Sequence, residues 1–243
     1  MNTAPKVRTV SFSGVDGAGK TTQIDNLCAF LTQQRIRYRV FRFWDDIARL
    51  TNVREGTGHR VFKGEKGSGS PEKPINRRDK NVQSFPMTCI RMFLYFVDAL
   101  STRKVFKRAM SGDAEFVIFD RYTYDELANM NLENAFVRAY ARFIMALVPR
   151  PDISYLLDAD PEAARARKPE YPIDFIRLNR KAYFDINRVV GGLTVIEPMA
   201  IGDAKRAVVA RAAAILPSTN GADSERKVEY GRTGSTNTDP ALS

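Results

Sequence analysis

The sequence predicts a single three-layer α/β domain built on a five-stranded, mainly parallel sheet. Three observations predict it. Short apolar runs alternate with helix-period segments along most of the chain, which is the signature of strand-helix-strand units. A glycine-rich loop lies directly between the first apolar run and the first helical pattern. At 243 residues, with 44% hydrophobic and 10% aromatic content, the chain can bury one sizeable core but would be cramped as two.

The strands are predicted at 7–13, 38–43, 116–120, 153–158 and 193–196. Between them, Ile24, Leu27, Cys28 and Leu31 fall at helical spacing and predict a helix over 22–34. A longer stripe through Ile90, Phe93, Leu94, Val97 and Leu100 predicts one over 85–110. Helices over 132–147, 160–167, 173–189 and 203–216 complete the set, the last following the turn signal at Gly202. The domain therefore runs to residue 216. From Pro217 onward Ser, Thr, Asn, Gly and charged residues dominate, and too little apolar surface remains to offset ordering entropy, so 217–243 reads as a disordered tail.

Composition excludes several chemistries. Cys28 and Cys89 are the only cysteines, each in apolar helical sequence, and read as buried core residues rather than a disulfide or thiolate site. The single histidine, His59, sits in a glycine-rich polar stretch, so neither a histidine metal site nor a catalytic triad is supported. No run of eighteen apolar residues occurs, and the N-terminus leads into the first strand without a signal-peptide pattern. The expectation is a cytoplasmic protein without a membrane segment. The net charge of +10 is concentrated partly in a basic insertion at 54–82. A solvated mobile loop is the preferred reading there, with nucleic-acid contact as the lesser alternative.

Two motifs carry chemistry. Gly14-Val15-Asp16-Gly17-Ala18-Gly19-Lys20-Thr21 follows a strand and opens a helix, where a phosphate-cradling P-loop belongs. Its glycines allow close backbone approach, its amides and the helix N-terminus face an anion, Lys20 reaches the β- and γ-phosphates, and the Thr21 hydroxyl suits Mg²⁺. Asp120-Arg121-Tyr122 ends the third strand at the carboxyl edge of the sheet, the ligand edge of open α/β folds. An aspartate there can hold Mg²⁺, and the adjacent arginine can clamp a phosphate through two parallel hydrogen bonds.

Taken in order, these motifs resemble the thymidylate kinase family of nucleoside monophosphate kinases. The likeness extends from Phe12-x-Gly14 through Thr21-Thr22-Gln23 to Asp120-Arg121-Tyr122. It continues in Pro151-Asp152-x4-Leu157-Asp158-x2-Pro161-Glu162-x-Ala164-x-Ala166-Arg167 and, more weakly, in Phe175-Ile176-Arg177-x5-Tyr183-Phe184. The resemblance implies a P-loop kinase fold over 1–216 that transfers phosphate from ATP, with Mg²⁺, to a nucleoside monophosphate, dTMP in the family. It implies that Gly14, Asp16, Gly17, Ala18, Gly19, Lys20, Thr21 and Thr22 hold the donor, and that Thr21 and Asp120 hold the metal. Asp16 would face the acceptor sugar, Arg121 would grip the acceptor phosphate, and Arg165, Arg167 and Lys168 would act from a lid. A homodimer through the helix at 85–110 is also implied, although a buried core gives the same pattern.

The departures cluster on the acceptor side. The family's Arg-Glu-Pro-Gly-Gly-Thr is replaced by Phe43-Trp44-Asp45-Asp46-Ile47, and Ala99 stands where an arginine follows Asp98. Where the family often has serine, asparagine and tyrosine, this chain has Asp125, Glu126 and Asn129. Asp125 and Glu126 would then read sugar hydroxyls or weaken an anionic acceptor. A P-loop kinase for another acceptor therefore stays open, as does a nucleotide-gated nucleic-acid-binding module.

Overall fold

The computed structural model describes residues 7–48 and 85–216. The basic insertion at 54–82 and the tail at 217–243 lie outside the described residues. All five strands are parallel: β1 (Arg8–Ser13), β2 (Tyr38–Arg42), β3 (Phe116–Asp120), β4 (Ile153–Leu157) and β5 (Leu193–Ile196), in the spatial order β2-β3-β1-β4-β5. A parallel sheet needs cover on both faces, and side-chain alternation supplies two apolar surfaces.

On one face Val10 and Phe12 of β1 pack with Ile24, Leu27 and Leu31 of α1 (Lys20–Gln33) and with Val208 and Ala212 of the last helix, Ile201–Ala214. On the other face Val117 and Phe119 of β3 pack with α2 (Phe85–Met110), α4 (Ala135–Leu147) and α6 (Ile173–Val190). Two short helices, α3 (Thr123–Leu127) and α5 (Pro161–Arg167), follow β3 and β4 at the carboxyl edge. The last helix is α7. Among the described residues, no helix is long and apolar enough to cross a membrane.

The departures from the expected boundaries have local causes. Helix α1 begins two residues early because Gly19, at φ 88°, turns the chain directly into the helix as its N-cap. Helix α4 begins late because the Asn134 side chain accepts the amide hydrogens of Phe136 and Val137 and so fixes the start. Two elements were not expected, α3 and a π-helical turn over Phe43–Ile47, each too short for periodicity to register. Cys28 is half-buried, with its thiol pushed up to about 11 by burial. Cys89, expected in the core, is instead exposed on α2.

The topology itself selects one crevice. The chain leaves β1 toward β2 on one side and later crosses to β4 on the other, so connections diverge between the carboxyl ends of β1 and β3. Open α/β sheets bind ligands at such a switch point. Phe12 is in register with Asp120, and the Arg121 amide donates to the Phe12 carbonyl at 2.9 Å. The glycine-rich loop and the Asp120-Arg121 pair are thereby neighbours.

Candidate active site

The loop from Gly14 to Gly19 is held against α5. Gly17 has φ 83°, and a Cβ there would lie 2.3 Å from the Ala164 carbonyl oxygen, so only glycine fits. Helix α1 has no side-chain cap and no acidic residue in its first turn. Its first amides are thus oriented for an anion, with Thr21 and Thr22 exposed beside them. Ala18 and Gly19 complete the concave backbone, half-buried at the rim.

Lys20 is buried and folds back over the loop, donating to the carbonyls of Gly14 and Val15 at 2.8 and 2.9 Å. Burial, reinforced by the nearby Arg121 charge, brings its ammonium down to about 8 against the pull of Asp16, Asp125 and Asp120. Asp16 shows the opposite balance. Burial alone would raise its carboxyl, but Arg121, Lys20 and Lys168 hold it at about 2. It is ionised at neutral pH.

Arg121 joins the two halves of the site. Its Nη2 donates to Asp16 Oδ1 at 2.6 Å, and its Nη1 meets Asp125 Oδ1 at 3.3 Å. Burial works against its charge, but Asp125, Tyr183 and Asp16 reverse that effect and raise its pKa. Beside it Asp120 is half-buried, and burial raises its carboxyl despite Arg121 and Lys20. A carboxylate whose desolvation is not offset by the cations around it suits a divalent ion. Mg²⁺ takes few side chains and completes its shell with phosphate and water, so Asp120 and the exposed Thr21 hydroxyl could hold it without further carboxylates. Among the described residues, no cluster of three or more His, Cys, Asp or Glu could hold a metal by itself.

The expected lid residues stand on or next to α5, the helix against which the loop packs. Arg165 and Arg167 are exposed on α5, and Arg165 lines a shallow cleft with Glu162, Ala166, Pro169 and Ile173. Lys168 is nearer, since its charge acts on Asp16, and it also pairs with Glu170 at 3.6 Å. Asp125 and Glu126 do not face a sugar site, contrary to the expectation from sequence: both are buried, at 5% and 1% exposure. Of the aromatic residues on α2 and the π-helical turn, Tyr95 is core and Phe96 stacks on Phe143, whereas Trp44 and Phe93 are exposed.

Sequence reasoning missed three partners. Ser13 and Tyr183 both bond Asp125, and Arg180 forms a two-pronged pair with Asp158, both contacts at 2.6 Å, that ties α6 to the end of β4. The spacing of Arg121 and Asp125, four residues apart on entering a helix, could have signalled their pairing. Nothing local could have found Tyr183, 58 residues downstream of Asp125.

A doubly wound parallel sheet with a glycine-rich loop after β1 and an Asp-Arg pair after β3 is the arrangement of an α/β P-loop kinase fold. The chain is 24% identical over 183 residues to a probable thymidylate kinase of Archaeoglobus fulgidus, covering 72% of this chain and 80% of that protein. It is 27% identical over 170 residues to a thymidylate kinase of Prochlorococcus marinus, covering 67% of this chain and 71% of that one. No protein-family model matches it. The chain is thus similar to thymidylate kinases over most of its length.

Proposed function

We propose that this enzyme transfers the γ-phosphoryl group of ATP to a nucleoside monophosphate, with dTMP, giving dTDP, as the leading acceptor. One observation carries the reading: the Arg121 guanidinium, at the end of β3, touches Asp16 of the P-loop at 2.6 Å. A cation suited to an acceptor phosphate therefore stands beside the loop suited to the donor. The names of the two relatives support dTMP as that acceptor.

In this reading the amides of residues 14–22 and the Lys20 ammonium hold the donor triphosphate. Thr21 and Asp120 hold Mg²⁺, which when bound neutralises charge on the phosphate oxygens. Arg121 exchanges its bond to Asp16 for the acceptor phosphate, and Asp16 is then free to take a hydroxyl of the acceptor sugar. Because that phosphate is already anionic, Arg121 and Lys20 need only align the two groups and stabilise the transferring charge, and no strong base is required. Arg165, Arg167 and Lys168 close over the phosphoryl group from α5. Unchanged single-turnover transfer in Arg165→Ala and Arg167→Ala would remove those two from the mechanism.

A different acceptor is favoured by one observation. Ala99, where an arginine would stand, is 1% exposed, so that helix turn offers no cation to a base. ADP release measured over a panel of nucleoside monophosphates and nucleosides decides between the readings. Turnover with dTMP is expected; turnover with another compound and none with dTMP would overturn it. A homodimer is supported by exposed Ile90, Phe93 and Leu100 on α2. Sedimentation equilibrium reporting a monomer at all concentrations would exclude it.

A further inference from the structure

Asp125 sits in the first turn of α3 with its carboxylate inside the protein. Oδ2 accepts the Ser13 hydroxyl at 2.6 Å and the Tyr122 amide hydrogen at 3.0 Å. Oδ1 accepts the Tyr183 hydroxyl at 2.7 Å and Arg121 Nη1 at 3.3 Å. A carboxylate has about four acceptor positions, and four donors meet this one. No capacity remains for a substrate hydroxyl, which is why the residue cannot read a sugar.

The donors arrive from three separate places: β1, the turn after β3, and α6. Shifting the carboxylate would break bonds to all of them, so it is a fixed point. Tyr183 is itself buried, and burial followed by the adjacent Asp125 charge raises its hydroxyl well above the ordinary range, so it keeps its proton and donates. Arg121 is the opposite kind of residue. Its side chain is long and has many rotamers, and its backbone stands at φ 70°. Asp16, its other partner, belongs to the P-loop and is more exposed, at 21% against 3% for the Asp125 side chain.

We propose that Asp125 is a positioning residue that anchors the Arg121 guanidinium, leaving its remaining N–H groups aimed at the acceptor phosphate. The proposal rests on the reading above that Arg121 grips that phosphate. A guanidinium has five N–H donors, and two are engaged here. The serine that thymidylate kinases often carry at this place has no charge with which to hold Arg121. In this chain Ser13 and Tyr183 are the side chains that make a buried carboxylate tolerable there.

The test uses the full-length protein and whichever acceptor the wild type phosphorylates fastest, so that failure of the dTMP reading appears in the wild type and not in the variants. Asp125→Asn should lower kcat/KM for the acceptor by about 10- to 100-fold while KM for ATP stays within about twofold. Tyr183→Phe should move the same constants in the same direction by less, and it keeps the question answerable if Asp125→Asn does not fold. In an Arg121→Lys background, Asp125→Asn should add no further loss. Hydrogen exchange of the Arg121 guanidinium by NMR needs no turnover and should quicken at least tenfold in Asp125→Asn. Wild-type acceptor constants in both folded variants, losses that multiply with that of Arg121→Lys, or unchanged guanidinium exchange would overturn the proposal.

Discussion

In the proposed reading, the donor and acceptor halves of the site are built from different materials. The donor half is backbone: a glycine-rich loop, the uncapped first turn of α1 and one lysine, all within eight residues. The acceptor half is side chains: Arg121 held between Asp16 and Asp125, with Ser13 and Tyr183 behind them, drawn from residues 13 to 183. A backbone cradle depends on φ angles that few residues can adopt, so it tolerates little change. A side-chain node can exchange serine for aspartate if its surroundings change with it, and specificity can drift there while the phosphate cradle stays constant.

The largest effect should come from the donor half. Lys20→Ala removes the buried side-chain cation that folds over the loop, and removal of a preorganised charge of this kind costs about 10²- to 10³-fold in kcat. Steady-state ADP release at saturating ATP and acceptor reads it. A fall of less than tenfold would mean that the α1 amides alone hold the donor, and the comparison would lose its lysine.

The glycines separate close packing from backbone strain. Gly17 and Gly19 share nearly the same φ, 83° and 88°. A Cβ on Gly17 would press to 2.3 Å on the Ala164 carbonyl, whereas one on Gly19 meets nothing within 4 Å. Gly19→Ala should therefore cost only the left-handed penalty of about 1–2 kcal/mol. Gly17→Ala should cost that and more, because α5 must move. Thermal denaturation of the two variants side by side checks the order; equal losses would show that α5 yields freely and that the cradle is not braced from that side.

The same division explains what the sequence disclosed. The central strand β3 was legible because Phe116 to Phe119 is a compact buried apolar run with sharp ends. The cradle was legible because its loop lies between a strand and a helix in the chain itself. The burial of Asp125 was not, since its place near Arg121 offered it to a sugar hydroxyl or against an anionic acceptor. Only the fold brings Ser13 and Tyr183 onto it and turns it inward. Likewise Cys89 was read as core because it lies in an apolar stretch of α2, and the pattern could not say which side of that helix the rest of the protein covers.

Asp16 is the joint between the halves, and acid should loosen it. Its carboxyl lies at about 2, lowered from 3.8 because the attraction of Arg121, Lys20 and Lys168 exceeds the opposing effect of burial. A carboxyl lowered by folding contributes stability that is fully present above its unfolded value and is lost as pH falls through the folded one. The window is therefore about 3.8 down to about 2. Urea unfolding of the wild type should lose on the order of 2 kcal/mol across that window from this group. Asp16→Asn, which has no proton to take up there, should show a shallower acid slope and lower stability at neutral pH, where Arg121 and Lys20 lose a counter-charge. Identical acid slopes would mean that the bond between Arg121 and Asp16 does not persist in solution, and that the donor and acceptor halves meet only when substrate joins them.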